Sequence, residues 1–140
     1  MRFVDTNVLL YAISTNPAEQ AKADVASRVL SSRDLAVSTQ VLQEFYVQAT
    51  RQTRRDRVTH AQAADLVTSF TRFTVQATTV GLVQAAMTTR ERFQLSYWDA
   101  AIIEAARMIG SAQVLSEDLS HGQDYEGVTV VDPFRGASAV

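Results

Sequence analysis

Apolar positions along the chain fall into two rhythms, short unbroken runs of two to four residues and longer stretches with helical spacing, and the two alternate. Phe3-Val4 has no solvent-side alternation, as expected of a strand covered on both faces, and Val8 to Ile13 continue as an apolar helix. Asn16-Pro17-Ala18-Glu19 reads as a helix start, with Asn as N-cap, Pro at the first helical position and Glu at the third, and predicts a second helix to about Arg33. Leu35 to Ser38 is a second buried strand, and Thr39 opens a helix whose Val41, Leu42, Phe45, Tyr46 and Ala49 share one arc. Thr59-His60-Ala61-Gln62 has capping-box spacing for a fourth helix to Phe73, with Ala63, Leu66, Val67 and Phe70 on its apolar face. Thr74 to Gln76 is a candidate third strand, followed by a helix from about Thr79 to Phe93. The next helix, through Ala100, Ala101, Ile102, Ile103, Ala105, Ala106 and Ile109, has scarcely any polar face and should lie centrally packed, with Gly110 as a left-handed C-cap. Gln113 to Ser116 and Val128 to Val131 are the last strands, and the small polar tail Arg135 to Val140 should be loose. Alternating strands and helices predict an α/β fold with a mainly parallel sheet.

Four acids stand where these elements end. Asp5 follows the first strand, at the sheet edge where ligands of open α/β folds bind; the competing reading is that Asp5-Thr6-Asn7 only caps a helix. Asp118 follows the Gln113–Ser116 strand and repeats that placement, which two caps explain less well than one site. Glu44 projects about 60° from Val41, at the margin of its helix's buried face. Asp99 lies three residues after Ser96, a capping-box spacing, yet at the start of the most apolar helix, where a carboxylate faces either a partner or a cleft.

Composition restricts the chemistry these acids can do. The 140 residues are 46% hydrophobic, enough for one well-buried core, and a single domain over residues 1–140 is expected. There is no cysteine and there are two histidines, so a metal here must be held mainly by oxygen. No run approaches the roughly 18 apolar residues of a membrane span, and a soluble, cytoplasmic protein is expected. The net charge of -2 argues against indiscriminate nucleic-acid binding, but gathering the four acids in one pocket leaves 11 acids against 13 bases elsewhere. All bases except Lys22 are arginine. Arg51, Arg54, Arg55 and Arg57 suit a solvated helix end near the negative pole of the dipole; contact with phosphate is the alternative for Arg51, Arg54, Arg55 and Arg90. His60, His121 and Asp124 are expected in exposed positions outside the site.

Two carboxylates about 4 Å apart repel by roughly 4 kcal/mol at an effective dielectric near 20, so four in one pocket require a cation. Mg²⁺ or Mn²⁺ suits all-oxygen ligation and assists phosphodiester hydrolysis by activating water and stabilising the leaving oxygen.

The chain resembles the PIN-domain nucleases, and among them the VapC toxins of type II toxin-antitoxin systems. The resemblance lies in Phe3-Val4-Asp5-Thr6-Asn7, Ser38-Thr39-Gln40-Val41-Leu42-Gln43-Glu44-Phe45-Tyr46, Tyr97-Trp98-Asp99-Ala100-Ala101-Ile102 and Leu115-Ser116-Glu117-Asp118-Leu119, in the family's order and spacing over essentially the whole sequence. It implies a three-layer α/β/α sandwich, Mg²⁺- or Mn²⁺-dependent endoribonuclease activity, a homodimer and a cognate VapB-like antitoxin. Carried over by position, Asp5, Glu44, Asp99 and Asp118 match the acidic quartet and Thr6 the hydroxyl beside the first acid. The fourth motif departs from the common Thr-x-Asp or Thr-x-Asn: Ser116-Glu117-Asp118 leaves Glu117 as a second candidate, with Asp118 preferred because it keeps the two-residue step from the hydroxyl.

Other folds that gather acids fit less well. A phosphoacceptor receiver domain needs a lysine at the end of a late strand, and Lys22 is misplaced for that; a dinucleotide-binding domain needs a glycine-rich turn where Asp5-Thr6-Asn7 stands. The closer alternatives are a PIN nuclease of RNA processing or decay, and a PIN-like binding module without catalysis, which a missing acid would mark.

Overall fold

The computed structural model describes residues 1–137. Six strands form one sheet in the order β3-β2-β1-β4-β6-β5, built from β1 (Arg2–Val4), β2 (Leu35–Ser38), β3 (Thr74–Gln76), β4 (Gln113–Leu115), β5 (Asp124–Tyr125) and β6 (Val128–Val131). All neighbours pair in parallel except β5 with β6. The helices are α1 (Thr6–Ala12), α2 (Gln20–Leu30), α3 (Thr39–Ala49), α4 (His60–Phe70), α5 (Val80–Phe93) and α6 (Tyr97–Met108).

Handedness distributes the helices over the two faces. The chain steps outward in one direction from β1 to β2 to β3, then reverses past both to reach β4, so right-handed crossovers put α1 to α4 on one face and α5 and α6 on the other. The packing agrees: α1 lies against α2 and α3, and α3 against α4, while α5 pairs with α6, which also contacts β2, β3, β4 and β6. The result is the expected α/β/α sandwich. Strand order reverses between β1 and β4, and at such a switch point the loops beyond the carboxyl ends part to leave a crevice.

The central strands read as continuous apolar runs because both faces are covered. Phe3, Val4, Ala36, Val37, Val114 and Val130 are all inaccessible to solvent, and burying each large side chain contributes about 1.5–3 kcal/mol. Helix α6 is buried continuously from Ala100 to Ala106, as its lack of a polar face implied. Its one buried charge, Glu104, accepts from Thr89 Oγ1 at 2.8 Å and from Arg107 Nε at 3.0 Å. Arg107 then donates to the carbonyls of Tyr125 and Glu126, fastening β5 to the helix.

Several boundaries differ from the sequence reading. Asn16 caps a single 3₁₀ turn, Pro17–Glu19, before α2 begins, and α2 ends at Leu30. Helix α4 stops at Phe70, with Phe73 in the following turn and still buried. Strand β5 was not expected. Its hairpin turns on Glu126 and Gly127, both with positive φ, and Glu-Gly lacks the Asn-Gly or Asp-Gly signature of that turn. Gly110 has the left-handed conformation expected of it, with φ of 81°. The expected loose tail lies partly outside the described residues; just before it, Phe134 is buried and packs edge-on against Tyr11. No helix among the described residues is long and apolar enough to cross a membrane.

Candidate active site

Asp5 stands one residue beyond β1, where its backbone N–H donates to the Leu115 carbonyl of β4 at 3.0 Å. The two strands flanking the switch point are thereby locked at their ends. Asp5 is the N-cap of α1, its Oδ1 accepting the Thr6 amide at 2.8 Å, so the capping reading is correct as far as it goes. Its other oxygen is turned to the crevice. Oδ2 accepts from Ser116 Oγ at 2.8 Å and from Asn7 Nδ2 at 3.4 Å.

Asn7 is the centre of this network. Its amide nitrogen also donates to Ser116 Oγ at 3.1 Å and to Asp118 Oδ2 at 3.2 Å, and its Oδ1 accepts the Glu117 amide. One side chain from α1 thus joins both acid-bearing loops. Ser116, fully buried, orients Asp5 and accepts the Asp118 amide.

Glu44 enters from α3 and is steered by two contacts. Thr6 Oγ1 donates to its Oε2 at 3.3 Å, and Gln40, one turn earlier, donates to its Oε1 at 2.7 Å. Asp99 lies in the first turn of α6. Ser96 Oγ accepts the Asp99 amide, which is half of a capping box, but the Ser96 backbone N–H does not donate in return to the Asp99 carboxylate. That carboxylate lines the crevice instead.

Asp5, Glu44, Asp99 and Asp118 accordingly line one cavity of about 90 Å³, together with Thr6, Asn7, Gln40, Gln48, Trp98, Leu10 and Ile102. No lysine or arginine is among the lining residues. Uncompensated charge shows in the acids themselves. Burial pushes the Asp5 carboxyl up to about 6, with the fields of Glu44 and Asp118 adding to the rise, while the Ser116 and Thr6 hydrogen bonds oppose it. Asp99 is raised as well, chiefly by burial and further by Asp118, against the Ser96 hydrogen bond.

Glu117 points elsewhere. It accepts from Tyr11 Oη and from Lys22 Nζ, each at 2.5 Å, and lines a neighbouring hollow with Asn7 and Asp118 instead of the cavity that holds the four acids. Its hydrogen bond to Lys22 holds that amine's pKa up. Of the arginines, Arg54 and Arg55 line a hollow with Asn16 and Asp56, and Arg54 also borders a smaller one that shares Asn7, Leu10, Gln48 and Asp118 with the acidic cavity. Arg51 is exposed beyond α3, and Arg90 lies on α5 beside Glu91. His60 is exposed and bonded to Tyr46; His121 accepts from Asp132 N, which follows β6, and Asp124 accepts from Gly127 N in the hairpin turn.

The sequence profile of the PIN domain matches residues 2–122. The chain belongs to the PIN domain family. PIN domain nucleases are hydrolases that act on nucleic acids and generally use a divalent metal. None of the curated proteins matches the sequence. Among solved structures, a toxin–antitoxin complex from Klebsiella pneumoniae has a chain 18% identical to this PIN domain (TM-score 0.69), with 95% of this chain and 98% of that one covered. A VapC toxin from Mycobacterium tuberculosis that cleaves the sarcin-ricin loop is 20% identical (TM-score 0.66; coverage 84% and 90%). DNA-bound VapBC from Salmonella typhimurium is 17% identical (TM-score 0.65; coverage 94% and 97%). At these identities the likeness is one of fold.

Two residues of the PIN domain crevice have roles that its sequence did not disclose. Asn7 belongs to the cap and to the first motif in sequence, but its bridging role carries no distinctive spacing, because Ser116, Glu117 and Asp118 lie more than 100 residues away. Gln40 precedes Glu44 by four residues, an ordinary helical pairing that becomes informative only once Glu44 is known to face a cavity.

Proposed function

We propose that this PIN domain is a Mg²⁺- or Mn²⁺-dependent endoribonuclease, the toxin of a type II toxin-antitoxin pair, which hydrolyses RNA phosphodiester bonds. It works as a single domain over residues 1–140, as a cytoplasmic homodimer restrained by a cognate VapB-like antitoxin. The observation that carries the reading is the convergence of four carboxylates on one small cavity without a basic side chain in its lining. The toxin assignment draws on the fold shared with VapC and VapBC structures, and the homodimer on family resemblance.

The donor set fits a hard divalent cation: all oxygen, with acids from four separate elements and amide or hydroxyl partners behind them. Among the described residues no three acids or histidines already stand close enough to clasp an ion. The Asn7 amide bridges Asp5 and Asp118, so clasping an ion would require Glu44 and Asp99 to turn toward the pair it holds.

Asp5, Asp99 and Asp118 would hold the ion, and Glu44 would ligate it or orient the attacking water. Bound there, the cation supplies charge neutralisation, water activation and stabilisation of the leaving oxygen. Thr6 and Gln40 fix the Glu44 carboxylate, while Ser116 and Asn7 fix Asp5 and Asp118 relative to each other. The Thr6 hydroxyl donates to Glu44 Oε2, and its role in this reading is to orient that carboxylate and not to attack. Recognition would rest on RNA shape and unpaired segments, with Arg54 and Arg55 as nearby phosphate contacts and Arg51 and Arg90 as more distant ones.

Inducible expression in a bacterial host tests this reading. Growth arrest by the wild type, relieved by Asp5→Asn or Asp99→Asn and by co-expression of a cognate VapB-like antitoxin, is expected. Unimpaired growth with soluble wild-type protein would remove the toxin assignment, leaving an RNA-processing nuclease or binding module. Arrest persisting in both variants would remove the site.

A further inference from the structure

Trp98 is exposed over 65% of its surface, although it opens the most deeply buried helix of the fold and is the only tryptophan in the chain. Its surroundings are unlike an apolar docking face. It lies on the lining of the acidic cavity, immediately before Asp99, and its backbone carbonyl accepts from Gln40 Nε2 at 3.3 Å, the same amide that holds Glu44. Tyr97 packs edge-to-face against the indole, with ring centroids 5.0 Å apart and planes at 86°, which limits the ring's freedom while leaving a face open. A large, partly immobilised π-surface beside a charged, wet cavity is poorly explained by packing. It is well suited to an unpaired nucleobase, which presents a π-face whatever its identity.

We propose that Trp98 is the stacking platform for a base of single-stranded RNA next to the bond cleaved in the acidic cavity, and so selects unpaired over duplex substrate. The inference deepens the ribonuclease reading and rests on it. Gln40, Glu44 and Gln48 line the cavity along one side of α3, a span of about 12 Å at ~1.5 Å per residue. Trp98 borders its Gln40 end, bonded there through the carbonyl. A base held on the indole enters at that end, with the adjoining phosphate directed toward Glu44 and Asp99. A paired base cannot reach the platform, because its face is already covered by its neighbours in the helix. Stacking is indifferent to base identity at first order, so the platform discriminates strandedness more than sequence.

The chain's single tryptophan makes the test direct, since its emission reports on this ring alone. Ten-nucleotide RNA, an abasic strand of the same length and a duplex are titrated with Mg²⁺ into the Asp5→Asn protein, following tryptophan emission and oligonucleotide anisotropy. Single-stranded RNA is expected to quench the emission, and the abasic strand and duplex to leave it unchanged. Adding Trp98→Ala should weaken single-strand binding about 5- to 150-fold, the range set by stacking of ~1–3 kcal/mol per base, and Trp98→Phe should restore most of it. In the wild-type background Trp98→Ala should raise KM by a similar factor with kcat little changed, the mark of binding lost equally from ground and transition states. The alanine variant keeps the backbone carbonyl that Gln40 uses, so the effect is not one of lost structure. RNA binding without quenching, at the same affinity in Trp98→Ala, would overturn the stacking role while leaving the nuclease reading intact. Absence of both cleavage by the wild type and binding of every RNA would overturn the two together.

Discussion

Replacing Asp5 by Asn should abolish activity and yet stabilise the metal-free protein at neutral pH. Asp5 is buried, and its folded pKa stands at about 6 against an ordinary 3.8, chiefly because burial disfavours the ionised form. The folded state therefore binds the Asp5 proton more tightly than the unfolded chain does, and stability falls as pH rises between about 4 and 6. At roughly 1.4 kcal/mol per pKa unit, the ionised Asp5 of the wild type costs about 3 kcal/mol above that window. Asparagine resembles the protonated acid in shape and remains a good N-cap for the Thr6 amide. It brings one donor too many beside Asn7, about 1 kcal/mol of unfavourable contact, leaving a net gain of about 2 kcal/mol. For a domain of this size that corresponds to about 6–8 °C in Tm. Thermal unfolding with a chelator present, at pH 7.5 and at pH 4, checks the sign and the window: the variant should melt higher at pH 7.5, and the gap should close at pH 4. A variant less stable than wild type at pH 7.5, or a gap that ignores pH, would refute the argument that Asp5 is an uncompensated buried charge. Saturating Mg²⁺ should invert the order, since an ion at a hundredfold excess over its Kd contributes about 2.7 kcal/mol to the wild type alone.

Further outcomes follow from the same contacts. Glu117→Gln should retain cleavage within about tenfold, because Glu117 is bonded to Tyr11 and Lys22, whereas Asp118→Asn should lose at least about a hundredfold; comparable losses measured in one cleavage assay would place Glu117 in the site. Asn7→Ala, which removes the link between the acid-bearing loops, should lower kcat about 10- to 100-fold with a native circular dichroism spectrum, and an unchanged kcat would deny it a positioning role. Phe45→Ala should cost about 3–5 kcal/mol in urea unfolding, since the ring is inaccessible and meets Phe70 edge-on at 5.0 Å. A loss below about 1 kcal/mol would show that the α3–α4 contact can collapse around the void.

The fold was legible where two local signals agreed. Strand β2 is bounded by Leu35 and Ser38 as its apolar run predicts, and the Thr59–Gln62 capping box forms with both of its hydrogen bonds. Legibility failed where geometry depends on a partner. The β5 hairpin turns on Glu126 against the usual preference for Asn or Asp, and it is held by Arg107 of α6, a contact between sequence neighbours 18 and 19 residues apart. The placement of Asp5 and Asp118 was legible because strand ends at a switch point are set by topology. Their orientation was not. Whether Glu117 or Asp118 enters the crevice depends on Lys22 and Tyr11 lying across the chain, and Asn7 acquires its function only when β1 and β4 are side by side. Trp98 entered the sequence reading only as part of the Tyr97-Trp98-Asp99 motif; its exposure is informative with the cavity beside it.

If this acidic crevice cleaves RNA with a divalent ion, the reaction depends on both the ion and the acids. The measurement that tests it most directly is digestion of a pool of cellular RNAs by purified protein, with Mg²⁺ or Mn²⁺ and with chelator, alongside Asp5→Asn and Asp99→Asn. Discrete cleavage that requires the ion and disappears in both variants is the predicted result. Cleavage that survives in the variants or in chelator would contradict the account, because the four carboxylates would then not be the groups that perform the reaction.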